Sequence, residues 1–136
     1  MRDVLDAIEG WRAEGHRVAL ATVTKVKGSA PRPPGAKMAV SDDGRWVGSV
    51  SGGCVEGAVY ELAQEVLETG TPVRHRFGYS DETAFSVGLT CGGTVEVFVE
   101  AVVPGRAGAI DQVLAALKAE EPAALAMVVT GPADLL

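Results

Sequence analysis

Residues 51–70 read SGGCVEGAVYELAQEVLETG, and this stretch contains the clearest element of secondary structure in the sequence. Apolar residues recur three and four positions apart, so they form one stripe along a helix. The stripe consists of Val55, Val59, Leu62, Ala63, Val66 and Leu67. We therefore predict an amphipathic helix over residues 54–69, with Glu56 and Glu61 on its polar side. Gly70 is expected to end it, because glycine readily adopts the left-handed conformation found after many helices.

Short apolar segments on both sides of this helix predict strands. Residues 18–26 are rich in β-branched side chains and favour a buried strand. Residues 37–40 and 45–50 flank a Ser-Asp-Asp-Gly sequence, which is typical of a hairpin turn. Further strands are predicted at 72–77, 94–103 and 123–130, and further helices at 3–15 and 110–117. Strands and helices do not strictly alternate, so we expect an α/β domain, or alternatively α+β, with a mixed β-sheet flanked by helices over 1–136.

The composition and charge narrow the classes of function. The chain has 136 residues, and its formal net charge of −6 argues against a general nucleic-acid surface, though not against a local basic patch. No segment is apolar over the length needed to cross a bilayer, and the acidic start does not resemble a signal peptide. With two cysteines and no export signal, we expect a cytoplasmic protein whose thiols stay reduced.

Residues 28–35, GSAPRPPG, form the first candidate binding segment. Proline lacks an amide donor and restricts φ, so this segment is expected to be a stiff loop. Ser29 and Arg32 lie in it, and Lys37 follows it. A guanidinium on a rigid loop is preorganised to bind phosphate or carboxylate. The alternative is a solvated connector that the prolines merely stiffen.

The turn Ser51-Gly52-Gly53-Cys54 is the second candidate. A glycine turn that leads into a helix exposes the first amide groups of that helix, which favours an anion there. A position at a helix start also favours the thiolate form of Cys54, and hence a nucleophile or metal ligand. The alternative is a tight turn in which Cys54 packs as a small apolar side chain.

A second glycine–cysteine motif, Gly88-Leu89-Thr90-Cys91-Gly92-Gly93, lies in an irregular stretch before a predicted strand. Long irregular loops within compact domains are often functional. Cys91 and Cys54 are far apart in sequence and could meet only in the fold. A zinc site takes about four ligands. Because His16 and His75 are scattered, a metal site within one chain is not expected, although a dimer would double the ligand set.

Four motifs, in this order and spacing, resemble the XdhC/CoxI family, the accessory proteins of xanthine dehydrogenase and carbon monoxide dehydrogenase. They are ATV at 21–23, GSAPRPPGAKM at 28–38, Gly48 with SGGCVE at 51–56, and GLTCGG at 88–93. The resemblance runs from about residue 17 to residue 100. It implies a protein that binds and protects the molybdenum cofactor, assists its sulfuration and delivers it to a molybdenum hydroxylase. It favours a carrier or chaperone over an enzyme.

The resemblance also implies a set of site residues. The cofactor is a pterin dithiolene with a phosphate tail, so its carrier needs anion donors, hydrogen bonds to the pterin and soft thiolates near molybdenum. The implied cofactor-binding residues are Ser29, Arg32, Lys37, Ser51, Gly52, Gly53, Cys54, Cys91, Gly92 and Gly93. Among them, Arg32, Lys37 and the glycine turn are assigned to phosphate. Cys54 and Cys91 are assigned to molybdenum or to sulfur relay, and no catalytic residue is assigned.

The implied partners are a molybdenum hydroxylase apoenzyme and a cysteine desulfurase type sulfur donor, and we also expect a homodimer. Family members typically continue into a second, Rossmann-like domain. This sequence ends at Leu136 without a GxGxxG motif, so we expect either a short form or a truncated chain. Two alternative functions stay open: a thiol-dependent sulfur-transfer or redox enzyme, and a dimerisation or scaffold module without ligand.

Overall fold

A computed structural model describes residues 1–78, 92–103 and 107–132. These residues form α1 (Arg2–Ala13), β1 (Val18–Lys27), β2 (Lys37–Ser41), β3 (Trp46–Gly48), α2 (Glu56–Thr69), β4 (Val73–Phe77), β5 (Thr94–Ala101) and α3 (Ala107–Lys118). The strands form one sheet in the order β3-β2-β1-β5-β4. The predicted class, one sheet flanked by helices, is confirmed. The described pairings are all antiparallel, so this sheet is not mixed and corresponds to the α+β alternative.

Helices cover both faces of the sheet. Successive side chains of a strand point to opposite faces, so the residues of β1 show which helix packs on which face. Ala19, Ala21 and Val23 of β1 pack in the core cluster beneath α2, which defines the α2 face. Val18 and Leu20 pack in a second cluster with side chains of α1 and α3, which defines the α1/α3 face. Because both of its faces are covered, β1 is a nearly continuous apolar run, as expected for a central strand.

The helix predicted from the opening stretch is present, but its start differs. α2 begins at Glu56, two residues later than predicted, and Val55 is its N-cap residue. Val59, Ala63 and Val66 are fully buried against the sheet, as the apolar stripe predicts. Gly70 ends the helix with φ of 71°, and its amide donates to the carbonyl of Val66 at 2.8 Å. None of the described helices has the length and apolar character needed to cross a membrane.

The strand predicted at residues 123–130 is wrong, because this segment pairs with no strand in the described part of the chain. Leu125 and Met127 instead pack against the cluster on the α1/α3 face. The hydroxyl of Thr130 accepts a hydrogen bond from the guanidinium of Arg74 at 2.8 Å. Side-chain contacts therefore hold this segment, and its apolar run reflects packing over the sheet rather than pairing within it.

The pairing register determines which loops meet. Lys27, the last residue of β1, pairs with Thr94, the first residue of β5. The loop after β1 therefore starts beside the loop before β5. Gly48, the last residue of β3, pairs with Met38 near the start of β2, so the turn after β3 leaves from the same side. We call this end of the sheet, which carries Lys27, Gly48 and Thr94, the loop end.

Candidate functional site

Three of the sequence motifs lie close together at the loop end. A side chain at Gly93 would overlap the carbonyl group of Ser29, and a Cβ atom at Gly28 would lie 3.5 Å from the Cα atom of Gly93. On the other side of the same loop, a Cβ atom at Gly52 would lie 3.3 Å from the Cβ atom of Pro31. The segment 28–31 thus bridges Gly93 and the turn that contains Gly52.

The carboxylate of Glu56 organises that turn, and Glu56 is 6% exposed. Its Oε1 atom accepts hydrogen bonds from the hydroxyl of Ser49 at 2.8 Å and from the amides of Val50 and Ser51 at 3.1 and 2.9 Å. Its Oε2 atom accepts from the hydroxyl of Ser51 at 2.6 Å and from the amide of Gly53 at 2.8 Å. The expectation that Glu56 lies on the polar side of the helix is wrong, since these donors draw its carboxylate into the turn.

Glu56 stays ionised in this environment. Burial by itself raises the pKa of its carboxyl group, but the hydrogen bonds from the hydroxyl and amide of Ser51 and from the hydroxyl of Ser49 outweigh that effect and lower the pKa to about 2. The amides of Val50, Ser51 and Gly53 therefore already have an anionic acceptor within the chain. The roles of Ser51, Gly52 and Gly53 toward a cofactor stay predictions.

Cys54 lies just outside α2, between the Gly52-Gly53 turn and the N-cap residue Val55. Its side chain is half-buried and packs against the core cluster of the α2 face. This position follows from the Glu56 network, because Gly53 is tied to the carboxylate at the helix start and Cys54 is its neighbour. The predicted position of Cys54 on the helix itself is thus wrong, although the residue does adjoin the helix start.

The other predicted site residues have different surroundings. Ser29 and Arg32 are exposed in the proline-rich loop, and no described hydrogen bond or ion pair holds the Arg32 guanidinium. Gly92 is exposed, while Gly93 is buried beneath Ser29. Cys91 lies outside the described residues, so its position relative to Cys54 stays a prediction.

Lys37 is placed apart from the Cys54 turn. It shares the α1/α3 face with Ala39, whereas Cys54 packs on the α2 face. Its ammonium group donates to the hydroxyl of Thr22 at 2.8 Å. Burial lowers the pKa of Lys37, and the nearby Glu100 carboxylate partly opposes this effect. The structure therefore does not bring Lys37 and Cys54 to the same face.

Comparison with known proteins identifies the family of this chain. The sequence model of the XdhC and CoxI family matches residues 11–78, which is half of the chain. The chain belongs to the XdhC and CoxI family. The matched part extends from the end of α1 through β4, and it includes the proline-rich loop and the Glu56 turn.

Two curated proteins and one solved structure are similar to this XdhC and CoxI family member. A molybdenum cofactor insertion chaperone, PaoD of Escherichia coli, is 41% identical over 60% of this chain and 25% of its own length. A probable subunit of xanthine dehydrogenase from Bacillus subtilis is 34% identical over 61% of this chain and 26% of its own length. The chain thus spans about a quarter of these relatives. A crystal structure described as a xanthine dehydrogenase from Bacillus halodurans has a TM-score of 0.70 at 30% identity, over 85% of this chain and 35% of that one.

Sequence reasoning missed the roles of Ser49 and Glu56 in this family member. A signal was present, since an acidic residue in the first turn of a helix, preceded by serine and glycine, is suited to accept backbone amide hydrogens. The spacing carries the same signal, because Glu56 precedes Val59 by three and Ala63 by seven positions and is buried on the same face of α2.

His16 belongs to a separate charged cluster at the opposite end of the sheet. Its Nδ1 atom lies 2.8 Å from a carboxylate oxygen of Asp42, and its Nε2 atom lies 3.4 Å from one of Asp43. The guanidinium of Arg45 bridges Asp43 and Glu14 at 2.8 and 2.6 Å. Among the residues that the structure describes, no group of His, Cys, Asp and Glu could hold a metal ion. This cluster therefore joins the β2–β3 turn to the end of α1.

Replacing Arg45 with methionine is expected to raise the pKa of Asp43. The hydrogen bond from the Arg45 side chain is the main cause that lowers this pKa from 3.8 to about 2. Without that donor the carboxyl group protonates at higher pH, which carbon-detected NMR titration of the Asp43 side chain measures. Arg2→Met, at an exposed position on α1, is the control. An Asp43 pKa that stays near the wild-type value in Arg45→Met would contradict this assignment.

Proposed function

We propose that this chain binds the molybdenum cofactor as cargo and assists its insertion into a molybdenum hydroxylase of the xanthine dehydrogenase or carbon monoxide dehydrogenase type. The observation that carries the proposal is the close approach of the proline-rich loop to Gly93 on one side, through the backbone of Ser29, and to Gly52 on the other, through the ring of Pro31. Motifs that are separate in sequence thus form one surface. The relative that is named as a molybdenum cofactor insertion chaperone supports the same function.

The chemistry of this surface suits a pterin dithiolene with a phosphate group. Gly52, Gly53 and Gly92 are exposed and leave the backbone accessible to a flat ligand. The half-buried Cys54 supplies a thiol, and sulfur is a soft ligand that suits a metal already bound by dithiolene sulfurs. Arg32 supplies an exposed guanidinium for anionic groups. When bound, the cargo would supply the molybdenum centre that its target enzyme needs.

Several finer features belong to this proposal. Cys54 and Cys91 contribute to sulfuration of the cargo, with a cysteine desulfurase as sulfur donor. The protein acts in the cytoplasm as a homodimer, and residues 1–136 form an XdhC/CoxI-like domain. The thiol part of this proposal depends on Cys54, which can be tested separately from cargo binding.

The chain is expected to carry the cofactor when it is produced in a host that makes it. The measurement is the fluorescence of the oxidised pterin released from the purified protein, per mole of chain. Cys54→Ser is expected to lower this amount about tenfold, a loss typical of removing a group near a bound metal. Cys91→Ser tests the second thiol in the same way.

Two results would count against the proposal. An absence of pterin above background from the wild-type chain, in a host with an intact pathway, would contradict cargo binding and favour a scaffold. Wild-type pterin content in Cys54→Ser would refute the role of this thiol alone. Glu61→Gln, at an exposed position on α2, controls for nonspecific effects of substitution.

A further inference from the structure

A cluster of cations lies on the α1/α3 face at the loop end, although the chain as a whole is acidic. Lys25 pairs with Glu96 in β5, and Arg76 of β4 pairs with the same Glu96 from the other side. Lys27 pairs with Thr94. Cross-strand partners share a face. Together these five residues line a cavity of about 200 Å³.

The charges in this cavity are not balanced. Among the described residues that line it, Glu96 is the one carboxylate, and it lies 3.6 Å from the guanidinium of Arg76. The same carboxylate accepts a hydrogen bond from the hydroxyl of Thr24 at 3.0 Å. Two exposed lysines on the same face of one strand therefore add positive charge beyond that of the Arg76–Glu96 pair. Like charges on neighbouring positions repel, so an anion bound between them would stabilise this arrangement.

The position of the cavity connects it to the candidate site. Lys27 is followed directly by Gly28, and Thr94 is preceded directly by Gly93, and these two glycines are in backbone contact. Gly28, Gly92 and Gly93 place no side chain between the cation cluster and the loop surface. Two of the other donor groups that the sequence suggests for phosphate are engaged, since Glu56 holds the turn amides and Thr22 accepts from Lys37, and Arg32 lies in the exposed proline-rich loop.

We infer that Lys25, Lys27 and Arg76, with the hydroxyl of Thr94, bind the phosphate monoester group of the ligand that occupies the loop end. This inference rests on the proposed function for the identity of the cargo, but the phosphate chemistry can be tested separately. Glu96 orients the Arg76 guanidinium, and the two lysines supply the charge that a phosphate dianion requires. The ligand then extends from the cation cluster on the α1/α3 face, around the loop end along the bare glycine backbone, toward the Cys54 turn on the α2 face.

The first experiment titrates inorganic phosphate into the isotopically labelled chain at constant ionic strength, balanced with chloride. We expect saturable NMR shifts at the amides of Lys25, Lys27 and Thr94. The double variant Lys25→Gln/Lys27→Gln is expected to bind phosphate about tenfold more weakly or not at all, because it loses two charged donors. Lys118→Gln, which removes an exposed lysine from α3, is expected to bind like the wild type. Linear, non-saturating shifts in the wild type would overturn the inference.

The second experiment measures pterin content in the same three proteins from a cofactor-producing host. A wild-type chain with pterin and a double variant with at least severalfold less support the inference. Equal pterin content in both would overturn it and leave the proposed function standing. Saturable phosphate binding through the lysines, in a wild-type chain that carries no pterin, would support the phosphate site and reject the proposed cargo, and the ligand would then be another phosphate monoester. Equal unfolding midpoints of the three proteins confirm that these exposed substitutions leave the fold intact.

Discussion

Glu56→Gln is expected to lower the free energy of unfolding by about 3 kcal/mol. The carboxylate receives hydrogen bonds from two serine hydroxyls and from the amides of Val50, Ser51 and Gly53, and these amides cannot rotate away. A glutamine side chain offers one oxygen and one amino group, so at least one amide must face a donor. The orientation that keeps the bonds from Val50 and Ser51 directs the amino group at Gly53. Chemical denaturation at neutral pH measures the loss, and the alkylation rate of Cys54 is expected to rise as the neighbouring turn loosens.

The pH dependence of this loss identifies its origin. The pKa of Glu56 is lowered from 4.5 to about 2 in the folded chain. A carboxyl group with a lowered pKa in the folded chain stabilises the fold at pH values above its pKa in the unfolded chain. This contribution disappears as the pH falls through the pKa of the folded chain. The difference in stability between the wild type and Glu56→Gln should therefore be largest above pH 5 and shrink toward pH 2. A difference that does not change with pH would indicate altered packing rather than loss of a charged acceptor.

Glu61→Gln is the matched control for Glu56→Gln. Both glutamates lie in the first two turns of α2, but Glu61 is exposed. Surface substitutions of this kind change stability by less than about 0.5 kcal/mol. If the two variants unfold at the same denaturant concentration, the Glu56 network does not stabilise the turn.

The apolar patterns in the sequence were sufficient to predict most of the fold. The stripe of α2 and the β-branched run of β1 correspond to surfaces that must be buried, and both elements are present. The segment at 123–130 has an equally clear pattern, yet it forms no strand. Pattern alone reports which side chains face the core. It does not report whether a sheet edge is available for pairing, because that depends on the rest of the topology.

The candidate site was also predictable only in part: the sequence indicated where its turns lie, but not where its polar side chains point. Glycine and proline motifs mark where the chain turns, and the family resemblance indicated which turns belong together. The direction of individual polar groups was not predictable. Lys37 follows the proline-rich loop in sequence, but strand alternation directs it to Thr22 on the α1/α3 face. Glu56 reads as a solvated helix residue, but the fold concentrates hydroxyl and amide donors around it.

Gly93→Ala is expected to abolish cofactor retention and to lower the free energy of unfolding by about 3 kcal/mol. An added methyl group would overlap the carbonyl oxygen of Ser29 and lie 2.7 Å from its carbonyl carbon and 3.2 Å from the carbonyl oxygen of Lys27. These neighbours are backbone atoms, so no side-chain rotation can relieve the overlap. The loop after β1 must move away from β5, which separates the motifs that form the proposed cargo surface.

Gly57→Ala is the control for this substitution. Gly57 lies in α2 with no atom close to an added Cβ atom, so alanine there is expected to stabilise the helix by about 0.5–1 kcal/mol. Pterin content is measured at a temperature where circular dichroism shows each variant to be folded. Loss of pterin from folded Gly93→Ala, with normal content in Gly57→Ala, means that the contact between the two loops shapes the binding surface. Normal pterin content in folded Gly93→Ala would mean that cargo binds without this contact, and the proposed surface would be wrong.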